Sequence, residues 1–175
     1  VGRRVIQHLA GFGPRLLAND LEPDLAFGAK HDVRWVDKEQ IYKEADILTL
    51  HLPLTPITKH LITARELRLM KPEALLINTS RGNMIDERDL ADALQSNRLA
   101  GAAIDVFHQE PYSGPLANIE TCLLTCHMGS MSQDCRLRME VEATEEVLRF
   151  MRGEPLRQPV PEYEFRMRES GRSLR

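Results

Sequence analysis

The sequence predicts an α/β fold built on a parallel sheet, and three observations carry that prediction. Short apolar runs rich in leucine, isoleucine and valine recur at 15–18, 33–36, 47–50, 74–78, 99–105 and 122–125. Segments of helical character lie between most of them, and strands that alternate with helices form parallel sheets covered on both faces. Several helix boundaries are also marked chemically, which locates the crossovers between strands.

The elements follow in order. VGRRVIQHLAGFGPRLLANDLEP reads as a helix and then a strand that ends in Asp20. DILTLHLPLTPITKHLI opens as a buried strand that breaks at Pro53, because proline cannot continue a central ladder. Thr63 to Glu66 fits a capping box, in which the threonine oxygen and the glutamate carboxylate satisfy free amides of a first turn. The helix it opens closes at Lys71-Pro72. Ala74 to Ile77 is a buried strand that runs directly into Asn78, Thr79, Ser80, Arg81 and Gly82.

Asp86 caps a helix over 87–95, with Glu87 and Asp89 near its positive end. LAGAAIDVF and CLLT are the last two strands. From Ser132 to Arg152 an apolar stripe (Leu137, Val141, Thr144, Val147, Leu148, Met151) recurs at helical spacing and stops at Gly153 and Pro155, as one long amphipathic helix does. The closing PVPEYEFRMRESGRSLR is charged and proline-punctuated without a period, and is expected to be irregular or disordered.

The totals narrow the function. The chain has 175 residues, long enough for one domain with a sizeable core. Its net charge of -3 offers no basic face to neutralise phosphates, so no nucleic-acid partner is expected. No apolar run approaches the roughly 18 residues of a membrane span. Cys122, Cys126 and Cys135 form no disulfide framework, and no secretory leader is present, so a reducing, cytoplasmic location fits. Together with His127 these cysteines match no zinc spacing, so no metal is expected.

The chemistry concentrates where strands end, because in open α/β sheets ligands sit outside the carboxyl ends of the strands. In a dinucleotide-binding unit the last glycine of GxGxxG opens the helix, and an acidic residue about 20 positions on accepts hydrogen bonds from the adenosine ribose. Gly2 and Asp20, 18 positions apart, suit those roles, although a plain helix start and a turn residue read equally well. A carboxylate at Asp20 would repel the extra phosphate of NADP, and no arginine follows within Leu21 to Pro23, so NAD is favoured. Leu52 and Pro53 follow a strand end where a cofactor would lie, or form a bare turn. Arg81 carries a planar fork suited to bidentate carboxylate recognition, or pairs at the surface with Asp86 or Glu87.

Two successive strand ends deliver Glu110 and His127. A histidine bonded to a carboxylate is held in one tautomer and suits general acid or base work near neutral pH. His8, His31, His51, His60 and His108 are read as ordinary surface or core residues.

These residues together resemble the D-isomer-specific 2-hydroxyacid dehydrogenases over residues 1 to about 155. HLPLTPITKHLI is similar to the family's HxPLTxxTxxLI loop, and LINTSRGNMIDERDLADAL to the segment with its substrate-binding arginine. AAIDVFHQEP is similar to DVFxxEP, and LLTCHMGS to LTPHIGG. The resemblance implies a Rossmann-type, doubly wound NAD-binding domain over 1–153 with a polar tail over 154–175. It implies that Arg81 binds the substrate carboxylate and keto oxygen, that Glu110 orients the histidine, and that His127 gives or takes the proton.

It also implies cofactor contacts. Val1 and Gly2 end the phosphate-binding turn, Asp20 holds the ribose, and Leu52 and Pro53 pack along the cofactor. Thr79 and Asp105 fix the nicotinamide end, and His127, Met128, Gly129 and Ser130 close over it. The implied reaction moves a hydride between nicotinamide and a small 2-hydroxy or 2-keto acid, with a lean to the phosphoglycerate-dehydrogenase-like branch and a homodimeric assembly. The same family includes corepressors that use the dinucleotide as a conformational ligand, and an inactive remnant is a further reading.

Two departures stand out. Cys126 replaces the usual proline, and Met128 and Ser130 replace isoleucine and glycine, which is expected to alter loop stiffness. Val1 falls inside the phosphate motif, so the first strand, the first two glycines and most of the substrate domain are expected to be missing from this chain. Such a chain alone should be unstable and nearly inactive, and a cooperative thermal transition with normal turnover would contradict that.

Overall fold

The computed structural model describes residues 1–160. The part of the polar tail from 161 onward lies outside the described residues. Within 154–160 no helix or strand forms, and Arg157 bonds back to the long C-terminal helix, its backbone N–H to Glu146 and its guanidinium to Glu145 at 2.6 Å.

The apolar runs become six short strands: β1 (Leu16–Ala18), β2 (Val33–Trp35), β3 (Ile47–Leu50), β4 (Leu75–Asn78), β5 (Gly101–Ile104) and β6 (Cys122–Leu124). Every pairing is parallel. The strands form two sheets, a pair β1-β2 and a four-stranded sheet in the order β3-β4-β5-β6. The helices are α1 (Gly2–Leu9), α2 (Leu25–His31), α3 (Lys38–Glu44), α4 (Ala64–Leu69), α5 (Glu87–Gln95) and α6 (Gln133–Met151). The chain divides into two compact units, Val1–Leu54 with Thr58–Cys126, and Thr55–Ile57 with the residues from His127 onward.

The first unit holds the core. Alternate residues of a strand face opposite sides, so Leu48 and Leu50, Leu76 and Asn78, and Ala102 and Ile104 all point one way. There the apolar ones meet Tyr42 of α3, Leu67 of α4, and Leu90, Ala91 and Leu94 of α5 in one buried cluster. On the opposite face Ile47, Leu75 and Leu123 stay 59%, 41% and 66% exposed.

Side-chain caps fix where the helices start. Thr63 and Glu66 form both arms of the capping box, with the Thr63 N–H donating to Glu66 Oε2 at 3.0 Å. Asp86 Oδ1 accepts from the N–H groups of Arg88 and Asp89. Asp89 in turn accepts the Ala64 N–H at 2.6 Å, so the start of α4 is bonded to α5.

In the second unit Ser132 caps α6 by accepting from the Cys135 N–H. The helix forms as its spacing predicts, and its apolar stripe is largely exposed: α6 has no buried residue, and Leu137, Val147 and Met151 are among its most exposed apolar side chains. The periodicity is helical as predicted, but among the described residues its own unit offers only Thr55–Ile57, the turn that opens at His127 and the short segment after Gly153 to pack on it. All three cysteines are free thiols, and burial pushes Cys122 up to about 11, which keeps it neutral.

Candidate active site at the carboxyl edge of the sheet

Register places the chemistry. Leu50, Asn78, Ile104 and Leu124 are partners in one row across the four-stranded sheet. The next residues along, His51, Thr79, Asp105 and Thr125, therefore leave the sheet side by side. The ladder runs one step further on two strands, with the Asp105 N–H donating to Asn78 O and the Thr125 N–H to Ile104 O, both at 3.0 Å. Adjacent strands lie about 4.8 Å apart, so loops from neighbouring strand ends are within side-chain reach of each other.

The β4 end is built around Asn78, a fully buried polar side chain. Its amide donates to the Arg81 carbonyl at 2.9 Å and accepts from the Ser80 N–H and hydroxyl. An amide buried without partners would be costly, and here each bond instead shapes the turn that carries Arg81. Arg81 is exposed, with Nη1 donating to the Ser80 carbonyl at 2.6 Å. Neither carboxylate proposed as its surface partner serves that purpose, because Asp86 caps α5 and Glu87 accepts the His108 N–H at 2.8 Å.

Gly82 fits under the next loop so closely that a Cβ there would lie 2.0 Å from the Phe107 carbonyl carbon and oxygen. Only a glycine allows that approach. The β5 loop so held carries Asp105 and Glu110. Asp105 is buried and accepts from the Thr125 hydroxyl at 2.5 Å, which ties β5 to β6. Glu110 precedes a cis peptide to Pro111, and its Oε1 accepts the Phe107 N–H at 3.0 Å.

The nucleotide end has its own geometry. Gly2 opens α1, whose first turn contains no acidic residue. A Cβ on Gly2 would rest 3.4 Å from His51 Cβ, an ordinary contact. His51 bonds Thr49 Oγ1 through Nε2 at 3.1 Å, and its burial lowers its pKa. Asp20 is exposed beside a cleft of about 290 Å³ walled by Asn19, Pro23, Trp35 and Asp37. Asn19 Nδ2 donates to the Val36 carbonyl at 2.8 Å and so bridges the ends of β1 and β2. Leu52 is half-buried and Pro53 exposed, and the Pro53 carbonyl accepts from the Thr58 hydroxyl at 2.7 Å.

His127, Gly129 and Ser130 open the second unit. His127 is exposed, with φ of +52°, a left-handed conformation uncommon outside glycine. The Met128 carbonyl accepts from the Met131 N–H at 3.0 Å, which closes the turn before α6. Among the described residues no group of three or more His, Cys, Asp or Glu is arranged to hold a metal, and no helix is long and apolar enough to cross a membrane.

The fold thus gathers Leu52, Thr79, Arg81, Asp105 and Glu110 at one sheet edge of the first unit, while Asp20 lines the cleft by β1 and β2. The family model described as "D-isomer specific 2-hydroxyacid dehydrogenase, NAD binding domain" matches residues 1–129. The chain belongs to the D-isomer specific 2-hydroxyacid dehydrogenases.

Members of this dehydrogenase family are similar to it along most of its length. A glyoxylate reductase from Korarchaeum cryptofilum is 39% identical over 156 residues, which are 88% of this chain and 47% of that protein. A D-3-phosphoglycerate dehydrogenase from Methanocaldococcus jannaschii is 32% identical over 88% of this chain and 30% of its own length. An NAD-complexed D-isomer specific 2-hydroxyacid dehydrogenase from Lactobacillus delbrueckii superposes with a TM-score of 0.79 at 26% identity, over 91% of this chain and 52% of that one. The chain spans less than half the length of the glyoxylate reductase and of the phosphoglycerate dehydrogenase.

Three contributors to the dehydrogenase edge escaped the sequence reading. Asn78 carries a local signal, since an asparagine two residues before a serine suits a side-chain-capped turn. Gly82 and Thr125 carry none, because the groups they meet lie 25 and 20 positions away in sequence.

Proposed function

We propose that this chain is the NAD-binding part, over residues 1–153, of a dehydrogenase that acts on the CH–OH group of a small D-2-hydroxy acid. The observation that carries the reading is the registered row at the carboxyl edge, from which Arg81 and Glu110 emerge on neighbouring strand ends. Relatives named glyoxylate reductase and D-3-phosphoglycerate dehydrogenase support a small 2-keto acid as the other substrate. The resemblance supports a homodimer, which sedimentation of the full-length protein tests, and three free thiols suit a reducing, cytoplasmic compartment.

The residues fit the cofactor. The exposed Asp20 carboxylate at the cleft suits ribose hydroxyls, and an α1 start free of acidic side chains suits a pyrophosphate. NAD, when bound, supplies the hydride acceptor or donor. Arg81 holds the substrate carboxylate through its planar fork. By the resemblance, His127 takes the hydroxyl proton in oxidation and returns it in reduction, and Glu110 is the orienting acid.

Two measurements test this. The single tryptophan, Trp35, walls the Asp20 cleft, so NADH binding should quench its emission by energy transfer. Saturable quenching that favours NADH over NADPH, weakened about 10- to 100-fold in Asp20→Ala, is the expected result for loss of a charge-assisted hydrogen bond. Equal binding of both cofactors would remove Asp20 from the cofactor site. In turnover with a panel of 2-keto acids headed by glyoxylate, Arg81→Lys should raise KM about tenfold or more, because an ammonium cannot make the two-point contact. An unchanged KM would end the carboxylate assignment.

A further inference from the structure

We propose that Glu87, the first residue of α5, is a positioning residue that holds the loop of Glu110 through the backbone of His108. Glu87 Oε1 accepts the His108 N–H at 2.8 Å, two residues before Glu110. Tyr112, two residues after Glu110, has its pKa raised, first by burial and further by the charge of Glu87. One carboxylate thus anchors the chain just ahead of the acid. It sits at the positive end of α5, where the free amides and the macrodipole favour its charge.

Other contacts brace the rest of the loop. The Phe107 and Tyr112 rings stack with centroids 4.1 Å apart. Tyr112 Oη accepts the Leu116 N–H at 3.0 Å, and the His108 ring nitrogen Nδ1 bonds the Asn83 side chain. His108, read from sequence as an ordinary surface residue, therefore joins the Glu110 loop to the loop that carries Arg81. Glu87 follows Arg81 by six positions through Gly82, Asn83 and the Asp86 cap. The residue that holds Glu110 is thereby in the same rigid connection as the residue assigned to the substrate carboxylate. With that anchor lost the backbone around Glu110 would be held less firmly, and a drift near 1 Å at reacting groups is costly.

The inference rests on the dehydrogenase reading for its kinetic consequence and on the bonding alone for its structural one, so the two can fail separately. In the full-length protein, Glu87→Ala should lower kcat on the order of 10- to 100-fold, with the KM for NADH unchanged within about twofold, because no residue assigned to the cofactor lies within 107–112. Glu87→Gln keeps an acceptor oxygen and should restore most of kcat, which loss of a merely stabilising charge would not predict. Glu87→Ala combined with Glu110→Gln should cost no more than Glu110→Gln alone. Hydrogen exchange should quicken at 107–112 in Glu87→Ala and stay unchanged there in Glu87→Gln.

Losses that add in the double variant, or a kcat for Glu87→Ala within about twofold of the parent, would overturn the positioning role. If the parent turns over no 2-keto acid, the dehydrogenase reading has failed, and hydrogen exchange still decides the grip: unchanged exchange at 107–112 in Glu87→Ala overturns it.

Discussion

Alanine in place of His127 is expected to lower kcat by about 10²- to 10⁴-fold, the scale of a lost general acid or base. Reduction of a keto acid needs a proton at the oxygen as hydride arrives at carbon, and water in a protein cleft supplies it poorly. NADH affinity should change little by comparison, since the cofactor's ribose and phosphates are assigned to the other end of the chain. His127 has a left-handed backbone, with φ of +52°, so a substitution there perturbs more than an imidazole. Glycine adopts that conformation freely, whereas alanine carries a strain of about 1 kcal/mol. His127→Gly and His127→Ala should therefore lose kcat alike if the imidazole is what matters. Full activity in the glycine variant, measured in steady state with NADH and the best 2-keto acid, would take His127 out of the mechanism.

What the sequence made legible was local. Each of β1 to β6 lies inside a run of apolar residues, because a strand buried among neighbours must be apolar along its length. The starts of α4, α5 and α6 were readable at Thr63, Asp86 and Ser132, because a cap is a bond between near neighbours. The motif residues Arg81 and Glu110 were readable as strand-end residues for the same reason.

What stayed hidden depends on distant partners. Asn78 is an ordinary polar residue in sequence, and only the packing of β3 and β5 on either side of β4 buries it. Glu87 looked like one more acid at a helix start, and its bond to His108 spans 21 positions. The stripe of α6 shows a second limit. Periodicity reports which face of a helix is apolar and says nothing about what covers that face, so Leu137, Val147 and Met151 can be in register and yet exposed.

Gly82→Ala is expected to damage both stability and turnover, and turnover more. A methyl group there would meet the Phe107 carbonyl at 2.0 Å and the His108 nitrogen at 2.6 Å. These are backbone atoms, so no rotamer change relieves the clash and one of the two loops must move. Overpacking of this kind costs about 1 to 3 kcal/mol, which for a chain of this size lowers Tm by roughly 2 to 12 °C. The activity loss should be larger than that shift suggests, because either loop that yields carries a reacting group, Arg81 on one and Glu110 on the other. A fall in kcat/KM of about 10²-fold follows from a displacement near 1 Å. Gly11→Ala is the matched control, since a Cβ there meets nothing within 4 Å and its backbone is not left-handed. It should leave Tm and kcat/KM at parent values. If Gly82→Ala behaves like that control, the two loops are not in contact in solution, and the edge geometry that joins Arg81 to Glu110 is wrong.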